Sequence, residues 1–595
     1  MSFEISLRPS KDTGGMYYKD SGYSDGIELS SMPLKRQDLE LAENFCLEAV
    51  SVKEDIIVSW EENDQENPKN WSRAKRWYTT GLSSMLVLNA TFASSAPAGV
   101  IPTLVHEFQV SSEVGVLVLS SFIAGYCLGP LLWGPLSEQY GRRPVFIASF
   151  SLYMIFQILN SVATSMNSIL VFRLIGGIFA AAPLSNSGAV IGDIWDPSTR
   201  GKALSMFTLA PFAGPALGPT ISGYLTVAGV RWNWIFWLLT IFAGVCLLLV
   251  VSTLPETYSP VLLRKKACRL RATTGNTRYI APIEMKRHSF RQRVEAILLQ
   301  PFRVLFFEPM LIAITIYMSF MYGCIYLLFE AYPIVFGQGH NLDPGASGLM
   351  LLNLPIGGVI GVLTYFILIN PRYDRAIQRY APAPVPPETR LEMGLIGAPL
   401  FAIAFFWFAW TSYPSIHLAV PFVSGVLMGW AIYLIFLCLV NYIVDAYLSV
   451  AASALAANTV VRSLTGAAFP LFATQMYESL NPRWASTVLG CIAAVLMPLP
   501  FVLIKFGPRL RRYSRYAPSR PVPGQPREVV ALPSRDGVAS RVPGAPRDVA
   551  LAQSGIARSD SCSVHIPLAR KSSHILPPEA YDVSVRTLPP AKLSS

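Results

Sequence analysis

The chain has 595 residues, of which 52% are hydrophobic and only 14% charged, and its mean hydropathy is +0.41. Soluble domains carry about 25% charged residues, so this balance excludes a wholly soluble protein and indicates an integral membrane one. The net charge of +11 argues for positive-inside anchoring rather than a nucleic-acid partner, because Lys and Arg gather in loops and tails beside apolar runs.

Residues 1–75 are polar, rich in Ser, Asp, Glu and Gly, and read as a disordered tail without the apolar stretch of a signal peptide. The tail ends in SWEENDQENPKNWSRAKRW, which sets Lys69, Arg73, Lys75 and Arg76 directly before the first apolar run. Runs of about twenty residues, the length that crosses the hydrocarbon core, then follow near 77–98, 113–133, 144–163, 168–190, 203–224 and 232–253. A second set lies near 308–331, 346–369, 393–411, 417–441, 452–475 and 485–506. The expected architecture is an all-α integral membrane protein of twelve transmembrane helices in two six-helix bundles, at 76–253 and 308–507. A central loop at 254–307 joins them, and a disordered basic tail fills 508–595.

Loop charge orients the chain. Basic residues follow the second, fourth and eighth spans (Arg142 and Arg143; Arg200 and Lys202; Arg372, Arg375, Arg379 and Arg390), whereas the loops after the first, third, seventh and ninth contain none. Both termini are therefore expected in the cytoplasm, in the plasma membrane or, alternatively, the vacuolar one. The basic run LLRKKACRLR in the central loop would lie along the anionic inner leaflet. The tail holds a near-duplication, Ser519 to Leu532 and Ser540 to Leu551, too short for a solenoid. Eight scattered cysteines without a CxxC pair imply neither a disulfide framework nor a metal site.

Several polar groups stand out against this apolar background. The turn GPLSEQYGRRP, Gly134 to Pro144, carries Glu138, Arg142 and Arg143 between two spans, and charge at that cost must sit at the membrane surface. Gly134 and Gly141 would permit a tight reversal there. Arg173, in RLIGG, lies inside the fourth span. The fifth span reads APFAGPALGPTISG; Gly214, Gly218 and Gly223 allow close helix approach, and Pro215 and Pro219 bend the helix. Glu330 is a carboxylate near the outer end of the seventh span, suited to reversible protonation or to a cationic substrate group. Arg462, in the eleventh, would counterbalance a carboxylate or fix packing, and Asp445 is expected at a solvated edge.

Five blocks in order, ENPKNW, GPLSEQYGRRPVF, PETYSPVLLRKKACRLR, YLLFEAYPIVF and ASALAANTVVRSLTGAAFPLFATQMY, make residues 60–509 resemble the fungal-type twelve-span drug–proton antiporters of the major facilitator superfamily, the group that includes multidrug and polyamine exporters. The resemblance implies that the turn clamps the two halves in one alternating state. Glu138 would meet helix ends of the opposite half, and Asp193 would pair with Arg142. Arg173 and Gly177 match an Arg-x-x-x-Gly motif linked to proton coupling, and the fifth span resembles the antiporter motif of exporters. Asn89, Tyr317, Tyr322, Tyr326, Tyr433 and Asn458 fall on helices that line the cavity in that fold, with Arg462 beside them.

The implied function is proton-coupled efflux of lipophilic small molecules, such as drugs, antifungals, secondary metabolites or toxins, by a monomer in the bilayer that needs no cofactor. A polyamine exporter of the same fold and a transporter-like sensor are the alternatives. No HExxH, GxSxG or phosphate-binding glycine loop supports an enzyme. A polyamine held at the midplane should need several carboxylates, and the spans offer almost none beyond Glu330. A neutral or weakly cationic lipophile is therefore expected.

Overall fold

The computed structural model describes residues 56–517, except 62, 286–298, 382–384 and 448–449. Of the tails expected to be disordered, 1–75 and 508–595, residues 1–55 and 518–595, with the tail duplication, lie outside the described residues. The described residues form one compact unit.

The helices begin and end where local chemistry directs. Ser72 accepts a hydrogen bond from the Lys75 N–H at 3.4 Å and so caps α1, Arg73–Ser95. A 3-10 turn and α2 (Ile101–Phe108) extend that span outward until Gln109, left-handed at φ 51°, stops it. Then come α3 (Ser112–Tyr140), α4 (Arg142–Ser161), α5 (Met166–Ala180), α6 (Ala182–Ile194), α7 (Pro197–Phe207), α8 (Ala210–Val227) and α9 (Asn233–Thr253). The second half comprises α10 (Ser259–Thr274) and α11 (Gln300–Phe307) in the connection, followed by α12 (Pro309–Tyr332), α13 (Pro344–Met350), α14 (Asn353–Thr364), α15 (Asn370–Tyr380), α16 (Glu392–Thr411), α17 (Ala419–Ala446), α18 (Ala451–Leu496) and α19 (Leu499–Tyr513).

Among the described residues, ten helical segments are long and apolar enough to cross a membrane. The last of them, Ala451–Tyr513, runs 63 residues. A straight helix of that length would reach about 95 Å, roughly three times the hydrocarbon thickness. It reverses at Asn481 (φ 59°, ψ 154°), with Pro482 next, and so supplies two spans. The glycine- and proline-rich α8, 18 residues long and buried against α1 through its glycines, completes the expected twelve.

Two boundaries depart from the sequence expectation. Residues 56–75, assigned to the disordered tail, are folded. Ile56–Ile57 pair in parallel with Tyr279–Ile280 of the central connection, and Val58 is buried with Leu263, Ala267 and Ala281. Lys266 meets Asp64 at 2.7 Å, and Arg269 meets Glu66 at 2.7 Å. The second bundle also ends later than residue 507. Helix α19 continues to Tyr513, and the turn after it closes on the buried Glu308, which accepts from Ser514 Oγ (2.7 Å), the Arg515 and Tyr516 N–H groups (3.1 Å each) and Tyr447 (3.2 Å).

Candidate functional site

The polar turn between α3 and α4 is organised by an acid outside it. Glu256, just after α9, accepts hydrogen bonds from the backbone N–H groups of Arg142 (2.9 Å), Arg143 (3.2 Å), Thr257 (3.0 Å) and Tyr258 (2.9 Å). These include the free N–H groups at the start of α4, where a carboxylate is favoured by the helix dipole. Gly141 sits at φ 104°, and a Cβ there would collide with the Glu256 carboxylate. Glycine is thus required twice over. The Arg142 Nε meets Asp193 at 3.2 Å, its Nη1 donates to Ser137 Oγ, and Ser137 donates to Asn186 at 2.9 Å. Arg143 donates to the Val251 carbonyl at 2.8 Å.

The expected Arg142–Asp193 pair is therefore in place, but two other readings of the turn change. Gly134 is not part of the reversal; it lies within α3 with open space around its Cα. Glu138 is exposed and makes no hydrogen bond or ion pair among the described residues, so the acid that holds the turn is Glu256, in the same half.

The second half repeats this chemistry. Arg390, just before α16, meets Asp445 near the end of α17 at 2.8 Å, as Arg142, the first residue of α4, meets Asp193 near the end of α6. Asp445 is thus ion-paired rather than merely solvated. Arg511 grips Glu388 through two bonds of 2.9 Å. Such correspondence between halves fits an internal structural repeat.

Deeper in the bundle, Arg173 is fully buried. Its guanidinium donates to the carbonyls of Val118 (2.9 Å), Ala93 (2.8 Å) and Ser94 (3.2 Å), and it lies 4.1 Å from the centre of the Phe122 ring. Ser94 Oγ then meets Tyr326 of the other half at 2.8 Å, and Tyr326 meets Tyr322 at 3.3 Å. The Tyr322 ring lies 4.7 Å from the Arg462 guanidinium. A polar seam thus runs from Arg173 in the first half to Arg462 in the second. Glu330 stands apart from it: one carboxylate oxygen receives Thr474 Oγ1 at 3.5 Å, and the other is buried without a partner among the described residues.

The remaining expected cavity residues separate into two kinds. Tyr433 donates to the Ser205 carbonyl at 2.8 Å and links the halves. Asn458 binds Thr315 at 3.2 Å within one half, as interhelical glue. Asn89 and Tyr317 are fully buried with unpartnered polar atoms.

The glycines of α8 do distinct jobs. At Gly214 a Cβ would press on Thr91 and the α1 backbone, and at Gly218 on Ser95 and Ala96, so both set the α1–α8 contact. Gly223 instead faces Pro344 and Gly345 of the second half. Nearby, Thr220 donates to the Gly348 carbonyl at 2.8 Å, and a Cβ on Gly348 would meet Pro219. Pro215 and Pro219 are buried inside the helix. At the end of the bundle away from the basic loops, the halves therefore close through backbone-to-backbone contact. Glu256 and Asn186 escaped the sequence reading because nothing local marks them as partners of a turn more than forty residues away, and Ser137, inside the turn, is marked only by its hydrogen bonds to Arg142 and Asn186.

Two six-helix halves, each bracing its basic end with an Arg–Asp pair and meeting along a polar seam, define a secondary transporter rather than a channel or a receptor built from soluble modules. Residues 83–470 match the Major Facilitator Superfamily, and the chain belongs to that family. The chain is 40% identical over 457 residues to an efflux pump, FUBT, of Fusarium oxysporum, covering 76% of each protein. It is 39% identical over 462 residues to the multidrug transporter mdrA of Aspergillus fumigatus, covering 77% of this chain and 76% of that one. Among solved structures, the xylose transporter XylE from E. coli in a partially occluded inward-open conformation superposes with a TM-score of 0.51 at 19% identity, over 73% of this chain and 98% of that one. That likeness shows the fold.

Proposed function

We propose that the chain is a proton-coupled antiporter that exports lipophilic small molecules, such as drugs, antifungals or secondary metabolites, from the cytoplasm. It works as a monomer, with both termini cytoplasmic, in the plasma membrane. The efflux pumps and multidrug transporters among its relatives support the direction and breadth of transport. The observation that carries the coupling is Glu330, a carboxylate inside a span with one buried oxygen free to take a proton. Other acidic residues of the described spans sit near a span's end or, as Glu478, beside the reversal at Asn481, so polyamine export, which needs several midplane carboxylates, is disfavoured.

Alternating access would work through the two ends of the bundle. Closure away from the basic loops uses Gly223, Thr220 and Gly348, while Ser205–Tyr433 and the close approach of Gly201 to Tyr365 hold the halves together nearer the basic end. The turn clamped by Glu256 and Arg142 keeps the helix ends of the first half moving as one body. Cells expressing the chain should expel the neutral dye Nile red, and a protonophore should stop it. Arg173→Ala at matched surface expression should lose efflux as well. Efflux that persists under the protonophore contradicts proton coupling, and ligand-dependent signalling without flux would favour a sensor.

A further inference from the structure

The interior of this bundle contains two buried guanidinium groups in very different circumstances. Arg173 spends its donors on three backbone carbonyls. Arg462 is nine-tenths buried, yet it makes no hydrogen bond and no ion pair with any described residue, and its Nε is fully enclosed without an acceptor. Guanidinium does not shed its charge in proteins and offers five N–H donors. An arginine left this way inside a membrane is costly unless something else accepts from it.

Two aromatic rings frame Arg462. The guanidinium carbon lies 4.7 Å from the centre of the Tyr322 ring and 5.1 Å from that of Phe436. Phe436 packs edge-on against Phe212 of the first half at 5.4 Å, and Cys127 of that half reaches the Val460 carbonyl at 3.6 Å, so Arg462 stands at the junction of the halves. Gly466, one turn further along α18, lets the Tyr322 ring lie against the helix; a Cβ there would come within 2.8 Å of it. Among the described residues, the polar neighbours of Arg462 are Tyr322, whose ring it faces, and the Tyr326 hydroxyl that Tyr322 meets, and no carboxylate pairs with it. Glu330 lies on the facing helix but beside Thr474, twelve residues from Arg462 along α18 or about 18 Å. It cannot serve as the counter-ion.

We propose that Arg462 is the recognition group for an organic anion, and that the exported compounds include aromatic carboxylates whose charged end pairs with Arg462 while their rings lie against Tyr322 and Phe436. This rests on the export reading and narrows its substrate class, departing from the neutral or weakly cationic lipophile expected from the sequence. A planar fork of donors matches a carboxylate through two parallel bonds, which a neutral amide of the same shape cannot reproduce. The chemistry also suits the task. A lipophilic weak acid crosses a membrane when protonated and is trapped as its anion on the more alkaline side, so a pump that reads the carboxylate removes the form that accumulates.

The test loads cells expressing the full chain with 1-naphthoate, its neutral isostere 1-naphthamide or Nile red, and compares efflux from wild type, Arg462→Gln and Arg462→Lys at matched surface expression. The proposal expects naphthoate to leave about tenfold faster than naphthamide, the energy of one good charge-assisted pair. Arg462→Gln should erase that preference, bringing the ratio of naphthoate to naphthamide efflux to about one, and Arg462→Lys should restore part of it. Equal efflux of the two naphthyl probes, or a preference that survives Arg462→Gln, overturns the proposal. Efflux of Nile red with neither naphthyl probe leaves export standing and refutes the anion site. If no probe leaves the cells, the export reading fails and this inference falls with it.

Discussion

One carboxylate, Glu256, satisfies four backbone N–H groups from two chain segments, and removing its charge would weaken all four bonds at once. Glu256→Gln should lower stability by about 1 kcal/mol, as expected when partly buried donors exchange a charged acceptor for a neutral one. Thermal unfolding of the purified protein in nanodiscs measures this. Gly141→Ala should cost about as much, because φ near 104° is glycine territory and the new methyl would strike Glu256. If Gly141→Ala unfolds at the wild-type temperature, the fit around Glu256 is looser than the distances indicate. The sequence made the Arg142–Asp193 pair legible by resemblance, but it pointed to Glu138 as the acid of the turn. Glu138 belongs to the motif and Glu256 does not; only the fold brings the end of α9 under the start of α4.

At the scale of elements, helix contacts here are set by the absence of side chains. Gly223 and Gly348 let α8 and α13 touch through backbone at the end away from the basic loops. Gly223→Val should prevent that closure and hold the protein open on this side. Accessibility of a cysteine placed at Thr220 to an impermeant thiol reagent reports the change, and unaltered labelling would show that closure does not pass through Gly223. The small-residue pattern of α8 was plain in the sequence, and its role in close packing follows from it. Which glycine met which half was not: Gly214 and Gly218, four residues apart, share a face and Gly223, five further on, turns to another, but nothing local says which neighbour covers either face. The same limit applied to Asp445: its partner Arg390 lies 55 residues earlier and becomes a neighbour only when α16 and α17 pack.

For the whole molecule, twelve spans in two sets of six were readable because hydrocarbon thickness imposes span length. The folded segment before the first span was not, since its apolar contribution is a few residues, Val58 and Trp60 among them, and its remaining anchors are ion pairs to the central connection. The Lys266 ammonium beside Asp64 holds that carboxyl below its usual range. A carboxylate with a depressed pKa in the folded state stabilises the fold above its unfolded value, and the benefit is lost as pH falls below about 4. Hydrogen exchange over residues 56–70, corrected for intrinsic rates, should therefore rise in acid, and Lys266→Met should produce the same loosening at neutral pH. Protection unchanged in Lys266→Met would mean that the apolar contacts and the short parallel pairing suffice alone.

Proton antiport through Glu330 is the claim on which the account turns, and reconstitution reads it directly. Proteoliposomes holding the full chain and a trapped pH-sensitive dye would receive an exported compound under an imposed pH gradient. Substrate movement should drive protons the opposite way, and Glu330→Gln, still folded and still binding substrate, should uncouple the two by about tenfold or more, the effect of about 1.4 kcal/mol in a coupling equilibrium. Substrate flux that ignores the gradient, or proton movement that survives Glu330→Gln unchanged, would contradict it.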